Sequence, residues 1–202
     1  MSMKKQLIIV LLGVGLLFSS CAKYPQVELD AAKASVQDVK IIGADVYAPT
    51  EFQALSDSVT KANVSADTEK AKWFTSYKET NLILANVTNQ VATVKTKTET
   101  RKAELKAETE KLLLEVDSLV KEDKALLIKS PKGKDGKAAL EAINTDISVV
   151  VDAYNDTQVL LAKLNYLEAD NKIKLAKDKA TTIKTELETA VAKTLKKHGK
   201  KK

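Results

Sequence analysis

Residues 112–164 read LLLEVDSLVKEDKALLIKSPKGKDGKAALEAINTDISVVVDAYNDTQVLLAKL. Two apolar-periodic stretches flank one cluster of helix breakers. Ser130-Pro131-Lys132-Gly133-Lys134-Asp135-Gly136 holds one of the chain's three prolines and two of its six glycines, the composition of a loop. Upstream, no Gly or Pro interrupts residues 67–129, and Tyr77, Leu84, Val91, Thr98, Leu105, Leu112, Leu119 and Leu126 recur every seven residues. Trp73, Val87, Val94 and Val116 occupy neighbouring positions, completing a seam of the coiled-coil kind. Downstream, Leu140, Ile143, Ile147, Val150, Tyr154, Thr157, Leu161 and Leu164 keep three-four spacing, which Leu167, Leu175, Ile183, Leu187, Val191 and Leu195 extend less regularly. The pattern predicts one helix over about 67–129 and one over about 137–197. A fold-back near Gly133 sets Leu126 opposite Leu140, Leu119 opposite Ile147, and Leu112 opposite Tyr154. The expected fold is all-α: an elongated antiparallel helical hairpin or coiled coil about 95 Å long. Between Lys95 and Lys111 only Ala103, Leu105 and Ala107 are apolar, so a solvated, fraying stretch is expected there.

Composition agrees with long helices. Aromatic residues make up 4% of the chain and glycine and proline are sparse, while Ala, Lys, Glu, Leu, Val and Thr dominate. Working back toward the N-terminus, Asn63-Val64-Ser65 reads as a break, with Ser65 or Asp67 capping the long helix. Val27, Ala31, Val36, Val39 and Ile42 share a broad helical face that Gly43 ends. Pro49 suits the first turn of a second short helix striped by Phe52, Leu55, Val59 and Ala62. These two short helices, residues 26–64, are expected to pack at the base of a hairpin spanning 65–197, with its loop at 130–136.

Ala31-Ala32-Lys33, Gly43-Ala44, Tyr47-Ala48-Pro49-Thr50-Glu51-Phe52 and Ala54-Leu55 resemble a bacterial domain-of-unknown-function family of short helical pairs. Members of that family carry a Tyr-Ala-Pro-x-Glu-hydrophobic second helix and often follow a lipoprotein signal. Some accompany peptidoglycan-binding modules, though no such module is recognisable here. The resemblance implies a helical pair and carries no activity.

Residues 1–20 have three parts: Lys4 and Lys5, an apolar run from Leu7 to Phe18 broken only by Gly13 and Gly15, and the small pair Ser19-Ser20 before Cys21. That order marks an export signal. About twelve apolar residues fall short of the roughly 20 needed to span a bilayer, which disfavours a transmembrane anchor. Cys21 is the single cysteine, so no internal disulfide is available to it, and a buried or unpaired structural thiol is the competing reading. Leu17-Phe18-Ser19-Ser20-Cys21 resembles a bacterial lipoprotein signal, with Phe18 where Leu is usual. The resemblance implies lipidation of Cys21, cleavage before it, a tether over 21–25 and membrane attachment. Several acyl chains hold a protein firmly where one is marginal. Ala22, in place of the Asp that retains enterobacterial lipoproteins at the inner membrane, implies sorting to the outer membrane.

Formal charge is +6. Two of the thirty-three basic residues fall in the signal and six lysines fall in residues 193–202, leaving 25 bases against 27 acids between. The body is nearly neutral, which argues against nucleic acid as a partner. The tail residues Lys196, Lys197, Lys200, Lys201 and Lys202 are candidates for contact with an anionic surface. A solvated end is the alternative, and residues 198–202 are read as a basic tail.

Little else suggests chemistry. The one histidine, His198, lies among tail lysines, far from the converging ligands a metal requires. Gly133 and Gly136 follow no strand, so they do not form a phosphate cradle. Glu104, Glu108 and Glu110 read as solvated faces with i,i+4 pairing. Trp73, Phe74 and Tyr77 read as core where short and long helices meet, or else as a partner groove. No catalytic, cofactor-binding or metal-binding residue is predicted and an enzyme is not expected. The expected role is a lipid-anchored envelope spacer or docking scaffold, with an envelope protein or peptidoglycan as partner. Removing residues 196–202 is expected to reduce sedimentation with anionic vesicles or purified cell wall, and added salt should mimic the deletion. Equal, salt-insensitive sedimentation of both forms would assign the tail to solvent.

Overall fold

A computed structural model describes residues 23–130 and 136–199, the last six of these by their backbone alone. The described residues form six helices and no strand: α1 (Gln26–Ile41), α2 (Ala44–Tyr47), α3 (Pro49–Lys70), α4 (Lys78–Lys129), α5 (Lys137–Ala162) and α6 (Tyr166–Gly199). The all-α class and the packed helical hairpin are as expected from the sequence. The chain divides into two compact units, Met1–Thr98 and Glu99–Lys202, and α4 contributes to both.

In the first unit Gly43 ends α1 as the sequence predicts. It sits at φ 84°, where a side chain is strained, and a Cβ there would lie 3.1 Å from the Tyr47 ring. Ala48 then leads into α3, whose first residue is Pro49. Three cross-links set the directions of the helices. The Tyr24 hydroxyl donates to Asp67 at 2.6 Å, pairing the start of α1 with the end of α3. Ser65 and Thr80 share a hydroxyl hydrogen bond of 3.0 Å, and Lys97 pairs with Glu51, so α3 and α4 run antiparallel. Leu29, Leu55, Ala62, Ala66, Val87 and Val94 are buried between them.

Two expected boundaries shift. α3 runs through Asn63-Val64-Ser65 to Lys70, and the chain breaks instead at 71–77. No glycine or proline marks that turn. Glu69 holds it, pairing with Lys72 at 2.5 Å and accepting from the backbone N–H of Ser76. The second shift is larger. The helix expected over 137–197 is two helices, interrupted at 163–165. Leu164 takes the left-handed conformation at φ 60°. Its N–H bonds Leu161 O at 3.0 Å, and Asn165 N–H bonds Leu160 O at 3.0 Å, the two bonds of a Schellman stop. A non-glycine residue there costs about 1–2 kcal/mol. Asn165 stands just before α6: its C=O accepts from Ala169 N–H at 3.1 Å and its side-chain amide donates to Glu168 at 2.5 Å.

The second unit is accordingly a three-helix packing. α5 returns along α4 and α6 reverses again. Lys172–Asp156 at 2.8 Å and Lys179–Asp146 at 2.7 Å make α5 and α6 antiparallel. Lys174–Glu108, Lys177–Glu115 and Lys184–Glu122, at 2.8, 2.6 and 2.6 Å, make α6 parallel to α4. One core joins Leu112, Val116, Ile147, Val150, Ile173 and Leu187, with Leu119, Leu126, Leu140 and Tyr154 half-buried against it. The expected fraying between Lys95 and Lys111 does not occur. The helix is continuous, and Thr98, Leu105 and Thr109 are buried along it. The loop 131–135 lies outside the described residues.

The break at 163–165 re-phases α6. Leu175, expected on the seam, is 71% exposed, whereas Ile173 is fully buried. Ile173→Asp is expected to destabilise the second unit by about 3 kcal/mol or more, because it strands a charge in the core. Leu175→Asp should stay within about 0.5 kcal/mol. Urea midpoints of the two variants check this, and equal losses would mean that α6 does not pack as described.

Candidate functional site

The antiparallel order of α1, α3 and α4 brings the start of α1, the end of α3 and the start of α4 to one end of the first unit. Tyr24, two residues before α1, is the pin of that end. Its ring meets the Tyr77 ring edge-on at 5.8 Å, and Lys70 Nζ stands 5.1 Å from its centroid. Asp67, accepting from its hydroxyl, pushes the phenol up to about 12. Tyr77 is buried as expected, but its two aromatic companions are not. Trp73 is 93% exposed and Phe74 86%. The expected core position does not hold them. The long helix that was to place them inside begins only at Lys78, and they stand on the turn between α3 and α4.

A second polar feature lies in the second unit. Thr109, Val116, Asp123 and Ser130 follow one another at seven-residue spacing and all are buried. Sequence reasoning identified only Val116, because the others are polar; their register with Val116 was the available signal. Asp123 is 1% exposed and neither carboxylate oxygen has a hydrogen-bond partner among the described residues. Burial pushes its carboxyl up to about 6, Glu122 and Glu188 add to the rise, and Lys184 opposes it. Asp170 is equally buried, but one of its oxygens takes Lys174 at 2.8 Å. Lys174 also reaches Glu108, and the two carboxylates together raise its pKa while Lys174 lowers that of Glu108. Of the acids expected to be solvated, Glu104 pairs with Arg101 and Glu110 with Lys106, whereas Glu108 joins α4 to α6.

Cys21, Lys200, Lys201 and Lys202 lie outside the described residues, as do the side chains of Lys196, Lys197 and His198. No group of three or more His, Cys, Asp or Glu suited to a metal occurs among the described residues. None of their helices is long and apolar enough to cross a membrane. No protein-family model, curated protein or solved structure matches the chain. The Tyr47-Ala48-Pro49 motif nevertheless has a physical account here: Tyr47 covers Gly43, and Pro49 opens α3.

The sign of the Asp123 effect follows from its raised value. The folded state holds this proton more tightly than the unfolded chain, so its contribution to stability falls as pH rises from about 4 to about 6 and stays low above. Asp123→Asn removes the charge and keeps the shape. At about pH 7 the variant is expected to be more stable by about 1–3 kcal/mol, with the difference vanishing near pH 3. Parallel denaturant titrations across that range check it; an equal or lower stability at neutral pH would show that the ionised carboxylate is solvated.

Proposed function

We propose that this is a non-enzymatic, lipid-anchored cell-envelope protein whose helical body serves as a spacer or docking scaffold, held at the outer membrane through Cys21. The observation that carries this reading is the order of Lys4-Lys5, the apolar run to Phe18, Ser19-Ser20 and the single Cys21. The fold supports it in one respect. α1 begins at Gln26, five residues beyond Cys21, and Tyr24 is already tied to α3 and α4. So short a tether would hold the body against the surface to which Cys21 is attached.

Packing supports the scaffold half of the proposal. The second unit joins its helices through ion pairs: Lys174, Lys177 and Lys184 of α6 reach Glu108, Glu115 and Glu122 of α4, and Asp170 holds Lys174 from within α6. Leu114, Val149 and Leu175 stay exposed on its helices. A second reading, a peptidoglycan tether, is favoured by one feature: six lysines and no acid in residues 193–202. It differs from the first in its partner, and a muropeptide found covalently joined to a tail lysine would select it.

In cells, Cys21→Ala is expected to leave an uncleaved precursor that stays in the aqueous phase of a detergent partition, while the natural protein enters the detergent phase. An intact mass showing an unmodified thiol at Cys21 in the mature protein would overturn the proposal.

A further inference from the structure

We propose that Trp73 and Phe74 enter the interfacial layer of the bilayer that carries the Cys21 anchor, docking the first unit end-on to the membrane. The inference rests on the anchoring reading above and adds a second contact with its own residues. Large apolar side chains exposed as neighbours on a turn lose water contact favourably, and tryptophan prefers the headgroup level, where its ring is buried and its N–H stays wet.

Three observations commit this turn to a lipid surface. The first is position. The chain leaves the described structure at Lys23, beside Tyr24, and Tyr24 is fixed to the same end of the unit by Asp67, Lys70 and Tyr77. Cys21 stands three residues before Tyr24, so their Cα atoms are at most about 11 Å apart. Trp73 stands three residues after Lys70, within the same limit. An acylated Cys21 therefore sets this end, and not the opposite one, against the bilayer.

The second is rigidity. The turn is stapled by the Glu69 carboxylate to Lys72 and to the backbone N–H of Ser76, so the two rings are presented by a defined turn between two helices. The third is charge. Residues 67–79 hold three acids, Asp67, Glu69 and Glu79, and three lysines, Lys70, Lys72 and Lys78. With no net charge the contact is apolar rather than Coulombic. It is independent of salt, unlike any contact made by the lysine tail.

Trp73 is the chain's one tryptophan, so it reports its own surroundings. The mature protein is reconstituted into phosphatidylethanolamine–phosphatidylglycerol vesicles, and its acylation is verified by intact mass on the same sample. Brominated acyl chains are expected to quench Trp73 emission about two-fold or more, and aqueous iodide should hardly affect it, at low and high salt alike. Phe74→Asp should restore access to iodide while the protein still floats with the vesicles. A reporter at the far end of α1, Trp73→Phe combined with Ile41→Trp, should remain open to iodide and untouched by bromine, since Ile41 is 82% exposed about 22 Å along the helix. Acylated, vesicle-bound protein with Trp73 open to iodide would overturn the inference and leave the anchoring reading intact. Equal bromine quenching at positions 73 and 41 would also overturn it, as indiscriminate adsorption. An unmodified Cys21 would overturn both.

Discussion

The structure depends on covering one seam. α4 is a single helix of 52 residues with a mostly polar surface. Intrinsic propensity gives so long a helix little support, and most of its stability must come from packing an apolar face. That face repeats every seven residues. Tyr77, Leu84, Val87 and Val94 are covered in the first unit, and Leu112, Leu113 and Val116 in the second. Each unit thus completes its core with part of the same helix. At the end of the first unit Thr98 is buried, and its hydroxyl bonds back to Val94 O at 2.8 Å. A hydroxyl satisfied within its own helix is buried at little cost, which explains how a polar residue keeps a seam position.

Charge arranges the second unit without supplying most of its stability. Lys174, Lys177 and Lys184 meet Glu108, Glu115 and Glu122, acids that recur every seven residues on α4. Each carboxylate is held below its ordinary value by its lysine. These groups are solvated, and such pairs contribute little individually. Their value lies in register: a slide of α6 along α4 breaks all three together. Asp123 works the other way. An unpaired carboxylate at a core position opposes folding at neutral pH, and the apolar packing of Val116, Ile147 and Leu187 must outweigh it.

Much of the helical content was legible in the sequence wherever breakers or clean periodicity were present. Gly43, Pro49 and the seven-residue rise from Tyr77 to Leu126 were read correctly, and Gly43 is where a left-handed residue was needed. The turns at 71–77 and 163–165 were missed because neither contains Gly or Pro. One carried a local signal all the same. Asn165 with Glu168 three residues later is the spacing of a helix-start capping pair, hidden by the apolar run around it. The turn at 71–77 carried less. Its staple is the Glu69 side chain reaching a backbone N–H seven residues on, a contact that no periodicity announces.

By itself the sequence determined that the chain is helical, where the seam of α4 lies, that its body is nearly neutral, and that its single cysteine follows a short apolar run. These are local properties, set by side-chain volume, period and charge along the chain. Only the tertiary structure decided that α6 reverses and lies parallel to α4, that Ile173 goes inside and Leu175 outside, and that Trp73 and Phe74 face solvent. The first two share one physical reason, while Trp73 and Phe74 face solvent because they fall on the turn between α3 and α4. A helical stripe says which residues want burial, but a single residue in the left-handed region, such as Leu164, turns the chain and re-phases the stripe that follows. Whether that strain is tolerated depends on how much core the reversed helix completes, and that quantity exists only once the helices are packed.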